Sequence, residues 1–240
     1  ALLAADRAAA VYAHNEAAAS FSVAQRHAPT VEQRLETRLR QAAALELAGR
    51  YDEGVTLCDL ILAEEISSGA RERLIAVRRQ RERLRLLLGQ SLAVASASVE
   101  SLLHEATASG QRTEVILLLG MLSRICLRTG EPETGLAYAR QAVERAEEEG
   151  DDRLLADTLV HLGTAALESD AESSVRSYRR ALDTFELHGD LVAQARIHVN
   201  LGIALSQLRK VDASRLHYEA ALALGRRTRT PDMVGLASLN

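Results

Sequence analysis

The segments LGTAALES, residues 162–169, and YRRAL, residues 178–182, recur about forty residues later as LGIALSQL, 201–208, and YEAAL, 218–222. In each copy a glycine stands in a run of alanine and leucine, and a tyrosine follows fifteen or sixteen residues later. Small residues let two helix axes approach closely, and a larger neighbour fills the groove beside them. The pattern therefore predicts a repeated pair of packed helices.

Glycines mark the predicted helix ends along the chain. One series, with intervals of 39 to 41 residues, consists of Gly69, Gly110, Gly150 and Gly189. A second series lies half a period away and consists of Gly49, Gly89 and Gly130, continued by Asp170 and Arg209. Apolar residues recur at helical spacing in the intervening segments of about 17 to 19 residues. Glycine supplies a left-handed C-cap, and Asp, Ser or Thr an N-cap. Gly150-Asp151 and Gly189-Asp190 are each predicted to end one helix and begin another.

The repeating unit is a pair of antiparallel helices of about forty residues. We expect an all-α fold, a right-handed superhelix of antiparallel helix hairpins, with residues 1–240 forming a single solenoid. A partial hairpin, five repeats and a truncated first helix are predicted at 1–29, 30–69, 70–110, 111–150, 151–189, 190–229 and 230–240. Because both ends cut through a hairpin, we expect the chain to be a segment of a larger protein.

Two columns of residues specify the packing in each unit. One position of the first helix, which we call the small column, is occupied by Ala42, Glu82, Ser123, Gly163 and Gly202 in the five repeats. The residue is small in every repeat except the second. The second helix carries an apolar or aromatic residue three before another apolar one: Cys58 with Ile61, Ala139 with Ala142, Tyr178 with Ala181 and Tyr218 with Ala221. Glu82 departs from the pattern, so irregular packing is expected around it.

These columns resemble the tetratricopeptide repeat in a longer form of about forty residues, over nearly the whole chain. The aromatic residue usual near the start of the first helix is absent. Residues 4–29 (AADRAAAVYAHNEAAASFSVAQRHAP) and 47–65 (LAGRYDEGVTLCDLILAEE) are similar to the helical-repeat region that follows the nucleotide-binding module of large bacterial signalling ATPases. That group includes MalT-like transcriptional activators and relatives attached to kinase or cyclase domains.

The resemblance implies a function in recognition. We expect a non-enzymatic sensor and interaction domain that binds a protein or peptide segment or a small effector, within a larger bacterial signal-transduction or transcription regulator. Two alternatives stay open. One is a structural scaffold that self-associates through end helices 1–27 and 231–240. The other is the regulatory repeat region of a kinase or cyclase whose catalytic domain lies outside this chain.

The resemblance also implies a concave face lined by the first helices, at positions three before, one after and five after the small column. The residues singled out as a ligand-binding groove are Arg79, Arg83, Arg124, Arg128, Val160, Thr164, Val199 and Ile203. Arginine binds carboxylates or phosphate with two parallel hydrogen bonds, so an acidic ligand is expected. The arginines could instead lie on a solvated helix, or be paired internally with Asp157 and Glu168.

Composition limits the other partners. The net charge is −4, which gives the chain no electrostatic reason to bind nucleic acid or an anionic membrane. No apolar run approaches the roughly 18–20 residues needed to span a bilayer. Cys58 and Cys126 are single cysteines without metal or redox spacing, which favours a reduced, cytoplasmic chain.

Catalytic, cofactor and metal motifs are absent from the sequence. There is no phosphate-binding glycine loop, no Gly-x-Ser-x-Gly and no His-Glu-x-x-His, so neither an enzyme nor a cofactor is predicted. His161 and His198 lie on neighbouring first helices and could approach each other, but no third ligand follows, which favours structural histidines. The acidic run 144–152 lacks calcium-loop spacing and is interpreted as a solvated helix end with an Asp cap.

Overall fold

A computed structural model of the protein describes residues 1–65 and 74–228. Within these ranges every regular element is helical, which confirms the all-α prediction. The α-helices are α1 (Leu2–Ala10), α2 (His14–Ala24), α3 (Val31–Leu47), α4 (Tyr51–Glu65), α5 (Ile75–Leu87), α6 (Leu92–Ala108), α7 (Arg112–Thr129), α8 (Pro132–Glu149), α9 (Asp152–Ala166), α10 (Ala171–Leu187), α11 (Leu191–Gln207) and α12 (Val211–Thr228). A short 3₁₀ turn, Gln25–His27, follows α2.

The chain divides into two compact units, residues 1–114 and a second unit that begins at Val115. In the first unit α1 to α6 pack on one another in sequence order, and in the second unit α8 to α12 do the same. Packed helices joined by short loops run antiparallel, so each unit consists of helix hairpins. The division into five repeats of one array stays a prediction. Its boundary at 69/70, Gly69 and the segment 230–240 lie outside the described residues.

The predicted caps join consecutive helices. Gly150 and Gly189 adopt φ values of +72° and +65°, in the left-handed region that favours glycine. The Asp151 carboxylate accepts a hydrogen bond from the Leu154 backbone N–H at 2.9 Å, and Asp190 caps α11 in the same way. Both predicted helix boundaries are therefore confirmed, and the local residue chemistry accounts for them.

The small residues of the first helices bring neighbouring helices into close contact. A Cβ atom on Gly163 would lie 2.7 Å from Cε1 of Tyr178, and one on Gly202 would lie 2.6 Å from Cε1 of Tyr218. The Ser174 hydroxyl donates to the Gly163 carbonyl at 2.7 Å, which ties α10 to α9. This contact belongs to the core of the second unit, which includes Leu159, Tyr178, Phe185, Ile197, Leu201 and Leu205.

Glu82 occupies the small column on α5 but is almost fully buried. Its Oε1 accepts hydrogen bonds from Arg81 Nη2 and Arg85 Nη1, each at 3.3 Å, and its Oε2 accepts from Gln90 Nε2 at 3.4 Å. Asp59 on α4 adds an ion pair to Arg81 at 3.1 Å. A buried carboxylate is tolerated only when it is paired and hydrogen-bonded, and three donors meet that requirement here.

Candidate functional site

Five alternate helices, α3, α5, α7, α9 and α11, present a recurring set of accessible side chains. We call the positions one and five residues after the small column the first-helix row. Nine of its ten members are exposed and Ile203 is half-buried: Ala43, Leu47, Arg83 and Leu87 in the first unit, and Arg124, Arg128, Thr164, Glu168, Ile203 and Gln207 in the second. The third predicted position, three residues before the column, is buried or half-buried in every helix.

In the first unit the row is apolar and basic. Leu47 and Leu87 are exposed to 57% and 43%. The Arg83 Nε donates to Glu46 Oε1 at 2.7 Å, and the Gln80 amide donates to the second oxygen of Glu46 at 2.9 Å. Arg83 keeps 45% of its side chain exposed. Glu46 therefore orients a guanidinium that solvent still reaches.

Arg79, the other predicted arginine of this unit, is held differently. Its Nε and Nη2 donate to the two oxygens of Glu114, at 2.6 and 3.3 Å. Only 18% of the Arg79 side chain and 14% of the Glu114 side chain are exposed. These two hydrogen bonds occupy the edge of the guanidinium that would otherwise bind a carboxylate or phosphate of a ligand. Arg79 is therefore held by Glu114 within the first unit and offers little to a ligand.

Two of the four predicted arginines pair with carboxylates of the first unit. Arg79 and Arg83 pair with Glu114 and Glu46. Asp157 lies 3.6 Å from Arg196, and its pairing with the arginines of α7 stays a prediction. Arg124 and Arg128 belong to the second unit, where both are exposed on α7.

The remaining predicted residues lie in the second unit at two depths. Val160 and Val199 are buried in its hydrophobic clusters, and Ile203 packs partly against the cluster of Val199. Thr164 is exposed, and its hydroxyl lies 2.9 Å from the Val160 carbonyl and 3.0 Å from the Tyr178 hydroxyl. The two valines therefore support the row, whereas Thr164 is accessible from outside.

A pair of histidines forms a second polar cluster in this unit. The Nδ1 atoms of His198 on α11 and His217 on α12 are 2.8 Å apart, and the ring centroids are 5.1 Å apart. Burial, and then the neighbouring His217, lower the pKa of His198 to about 4. Burial and then Arg179 lower the pKa of His217. His198 is thus engaged with His217, while the ring of His161 lies against Gly120.

Two kinds of site are missing from the part of the chain that the structure describes. Across residues 1–65 and 74–228, no group of three His, Cys, Asp or Glu side chains is placed to hold a metal ion. No helix in those ranges has the length and apolar character needed to cross a membrane.

Sequence reasoning did not identify the partners of Arg83, Arg79 and His198, which are Glu46, Glu114 and His217. The spacing of the repeat nevertheless indicates them. Ion pairs between equivalent helices of neighbouring hairpins join residues 33 to 39 positions apart, and Arg83–Glu46 and Arg79–Glu114 fall within that interval. A search for opposite charges just under one period apart would have found both. The register that places Ser214 against Gly202 likewise brings His217 to His198.

Comparison with known proteins adds information on the fold. Neither the family models nor the curated protein sequences contain a match to this chain. Solved structures do match. The Rap conjugation gene regulator of plasmid pLS20 in complex with the Phr* peptide is 13% identical, with 95% of this chain and 73% of that chain covered and a TM-score of 0.72.

Two further structures have similar folds. NprR in complex with its cognate peptide NprX is 14% identical, with coverage of 89% of this chain and 63% of that chain and a TM-score of 0.67. The signal transduction ATPase PH0952 from Pyrococcus horikoshii, which has a tetratricopeptide repeat sensor, is 14% identical, with 94% and 39% covered and a TM-score of 0.59. The chain therefore has a tetratricopeptide-like helical-repeat fold, as the sequence predicted.

Proposed function

We propose that this chain is a non-enzymatic sensor and interaction domain that binds a peptide or protein segment at residues of the first-helix row. The observation that carries the proposal is the recurrence of accessible side chains at the same two positions of α3, α5, α7, α9 and α11. A helical-repeat array supplies an extended surface for a peptide or protein partner.

The residues of the row define the chemistry of the ligand. In the first unit Leu47 and Leu87 suit an apolar side chain, and Arg83 suits a carboxylate or phosphate. In the second unit, described by itself, the row carries positive charge at Arg124 and Arg128. We therefore propose a segment with apolar anchors and acidic groups, and we expect its binding to weaken as salt concentration rises.

The proteins of similar fold support the proposal by analogy. The Rap regulator and NprR were solved with the peptides Phr* and NprX, and PH0952 is described as carrying a tetratricopeptide repeat sensor. We extend this to a role for the chain as part of a larger cytoplasmic regulator of bacterial signal transduction or transcription. At these identities the likeness shows the fold, so the function rests on the row itself.

The proposal is tested by selecting binders from a displayed library of random peptides and measuring their affinity by fluorescence anisotropy. Leu47→Asp and Leu87→Asp are expected to abolish binding of the selected peptides, because each places a charge among the apolar contacts. Matched controls are Leu60→Asp on α4 and Val94→Asp on α6, which alter apolar side chains of similar exposure, 50% and 58%, on second helices of the same unit.

The affinities of the four variants distinguish binding on the first helices from binding on the second helices. Loss of affinity in the first-helix variants with normal affinity in the controls supports the proposal. Equal affinity in all four variants, or loss confined to the controls, overturns it. Circular dichroism of each variant shows that the helices are intact, so a change in affinity reports on the surface.

A further inference from the structure

His198 on α11 and His217 on α12 form a direct link between two helices, at a point that the proposed peptide function does not use. Their Nδ1 atoms lie 2.8 Å apart, which is the distance of a hydrogen bond between the two rings. In a neutral pair one ring donates its Nδ1–H and the other accepts with the lone pair of its Nδ1. Both side chains are half-buried, so water and its protons reach the pair.

The number of protons on the two rings decides whether this hydrogen bond holds. A first added proton binds Nε2 of the donor ring, which becomes an imidazolium and still donates its Nδ1–H; a charged donor strengthens the bond. A second proton can bind only the Nδ1 lone pair of the acceptor ring, because Nε2 of that ring already carries a proton. Two Nδ1–H groups of like charge then face each other, so attraction becomes repulsion.

The surroundings of the pair disfavour the doubly protonated state. Burial, and then the positive charge of Arg179 on α10, lower the pKa of His217. Burial, and then His217, lower the pKa of His198 to about 4. The arrangement of the rings and the charge on α10 therefore act in the same direction, against a second proton.

The charged side chains that flank the pair on its own helices have partners of their own. On α11, Arg196 lies 3.6 Å from Asp157 of α9. On α12, the residues two before and two after the histidine are Arg215 and Glu219, which lie 3.9 Å from each other. These carboxylates are engaged with arginines, so the charge that acts on the imidazoles from a neighbouring helix is that of Arg179.

We propose that the His198–His217 pair is an acid-sensitive switch, which holds α12 to α11 in the neutral and singly protonated states and loosens their contact when both rings are charged. The packing one helical turn away transmits the effect. Gly202 packs under the ring of Tyr218, and its carbonyl accepts a hydrogen bond from the Ser214 hydroxyl at 2.7 Å. Repulsion between the rings strains this contact, so the α11–α12 hairpin is expected to open at a higher pH than the other hairpins of its unit.

Thermal unfolding of the parent protein between pH 7 and pH 4 gives the first test. The unfolded chain takes up these protons near pH 6.5 and the folded chain only at lower pH, so stability should fall as the pH drops from about 6.5 to about 4. His198→Gln, His217→Gln and the double variant should each show a smaller fall. His188→Gln, which removes an exposed histidine of α10, should show a fall close to that of the parent.

A comparison of the single and double variants separates a switch from two independent buried histidines. The repulsion needs both rings, so either single variant removes all of it, and the two single reductions should sum to more than the reduction in the double variant. Reductions that add up to that of the double variant would overturn the switch. A fall in His188→Gln as small as in the pair variants would also overturn it.

Nuclear magnetic resonance of the parent protein labelled with ¹⁵N-histidine tests the hydrogen bond itself, without a variant that has to fold. Scalar coupling between the two Nδ1 nuclei across the hydrogen bond is expected at pH 7. It should persist when the first proton binds and disappear as the pH falls through about 4. No coupling at pH 7, or coupling that remains after both rings are charged, would overturn the proposal.

Discussion

The ring of Tyr178 lies so close to Gly163 that a Cβ atom at this glycine would be 2.7 Å from Cε1 and 2.8 Å from Cδ1. Tyr178 is fully buried, so its ring has no free space into which to retreat. The contact sets the separation of α9 and α10 and recurs between Gly202 and Tyr218 on the next hairpin. Glycine at this position is therefore a packing requirement of the hairpin.

Gly163→Ala should destabilise the protein. Overpacking costs about 1–3 kcal/mol, and the better helix propensity of alanine offsets at most about 1 kcal/mol, so the midpoint of thermal unfolding should fall. Gly54→Ala is the matched control, because its added Cβ would come closest to a methyl group of Leu84, at 2.8 Å, and a leucine side chain adjusts more easily than an aromatic ring. A Gly163→Ala protein as stable as the Gly54→Ala protein would refute the packing argument.

Glu82→Ala should destabilise the first unit by about 1–3 kcal/mol, the range for leaving buried hydrogen-bonding groups without a partner. The substitution leaves Arg81, Arg85 and Gln90 without their shared acceptor. Thermal unfolding followed by circular dichroism provides the measurement. Glu82→Gln keeps a hydrogen-bond acceptor and should lose less stability. Glu100→Ala, at an exposed position of α6, should have little effect on stability. Equal losses for the three variants would contradict the role of the buried carboxylate.

Replacing Arg79 is expected to lower mainly the stability of the protein, and replacing Arg83 mainly its affinity for a peptide. Arg79→Ala leaves the largely buried Glu114 without its partner and should cost about 1–3 kcal/mol of stability. Arg83→Ala removes a half-exposed pair, which contributes at most about 1 kcal/mol. Its main effect should be weaker binding of an acidic peptide, together with a smaller dependence of that binding on salt. Thermal unfolding and anisotropy distinguish the two, and a reversed pattern would show that the roles were misassigned.

Cys58 should resist thiol reagents in the folded protein. Burial, and then the negative charge of Asp59, raise the pKa of Cys58 to about 12, although Arg81 and Arg85 act in the opposite direction. The thiol therefore stays protonated between pH 7 and 9, and the reactive thiolate is scarce. Labelling with a disulfide reagent at pH 8, followed by mass spectrometry, should modify Cys58 only after denaturant is added. Rapid labelling of the native protein would contradict this environment.

Local chemistry made the helix pairs predictable from the sequence. Gly150 and Asp151 act on the residues next to them, and the contact between Gly163 and Tyr178 lies within one hairpin, so spacing along the chain indicated both. The site was harder to predict because its properties depend on neighbouring hairpins. Arg79 follows the spacing of a ligand-binding residue, but Glu114, 35 residues later, takes up its guanidinium. Nothing in the local pattern distinguishes it from Arg83.

The burial of individual side chains was the second property that spacing along the sequence did not indicate. Val160 and Val199 fall at the position three before the small column, where the helix turns toward its partner, and both are buried. Thr164, one position after the column, is exposed. A helix rotates by about 100° per residue, so a position near the edge of a face becomes core or surface according to how closely the adjacent helix packs.

The most direct test of the central claim is site-specific photocrosslinking of a selected peptide. Benzoylphenylalanine is placed at Leu87 or Thr164, both exposed on first helices, and at Val94 or Leu187, both exposed on second helices. The proposed function predicts peptide adducts at Leu87 in the first unit or at Thr164 in the second, and none at the other two positions, as read by mass spectrometry. Adducts at Val94 and Leu187 alone would place the ligand on the opposite helices and contradict the account.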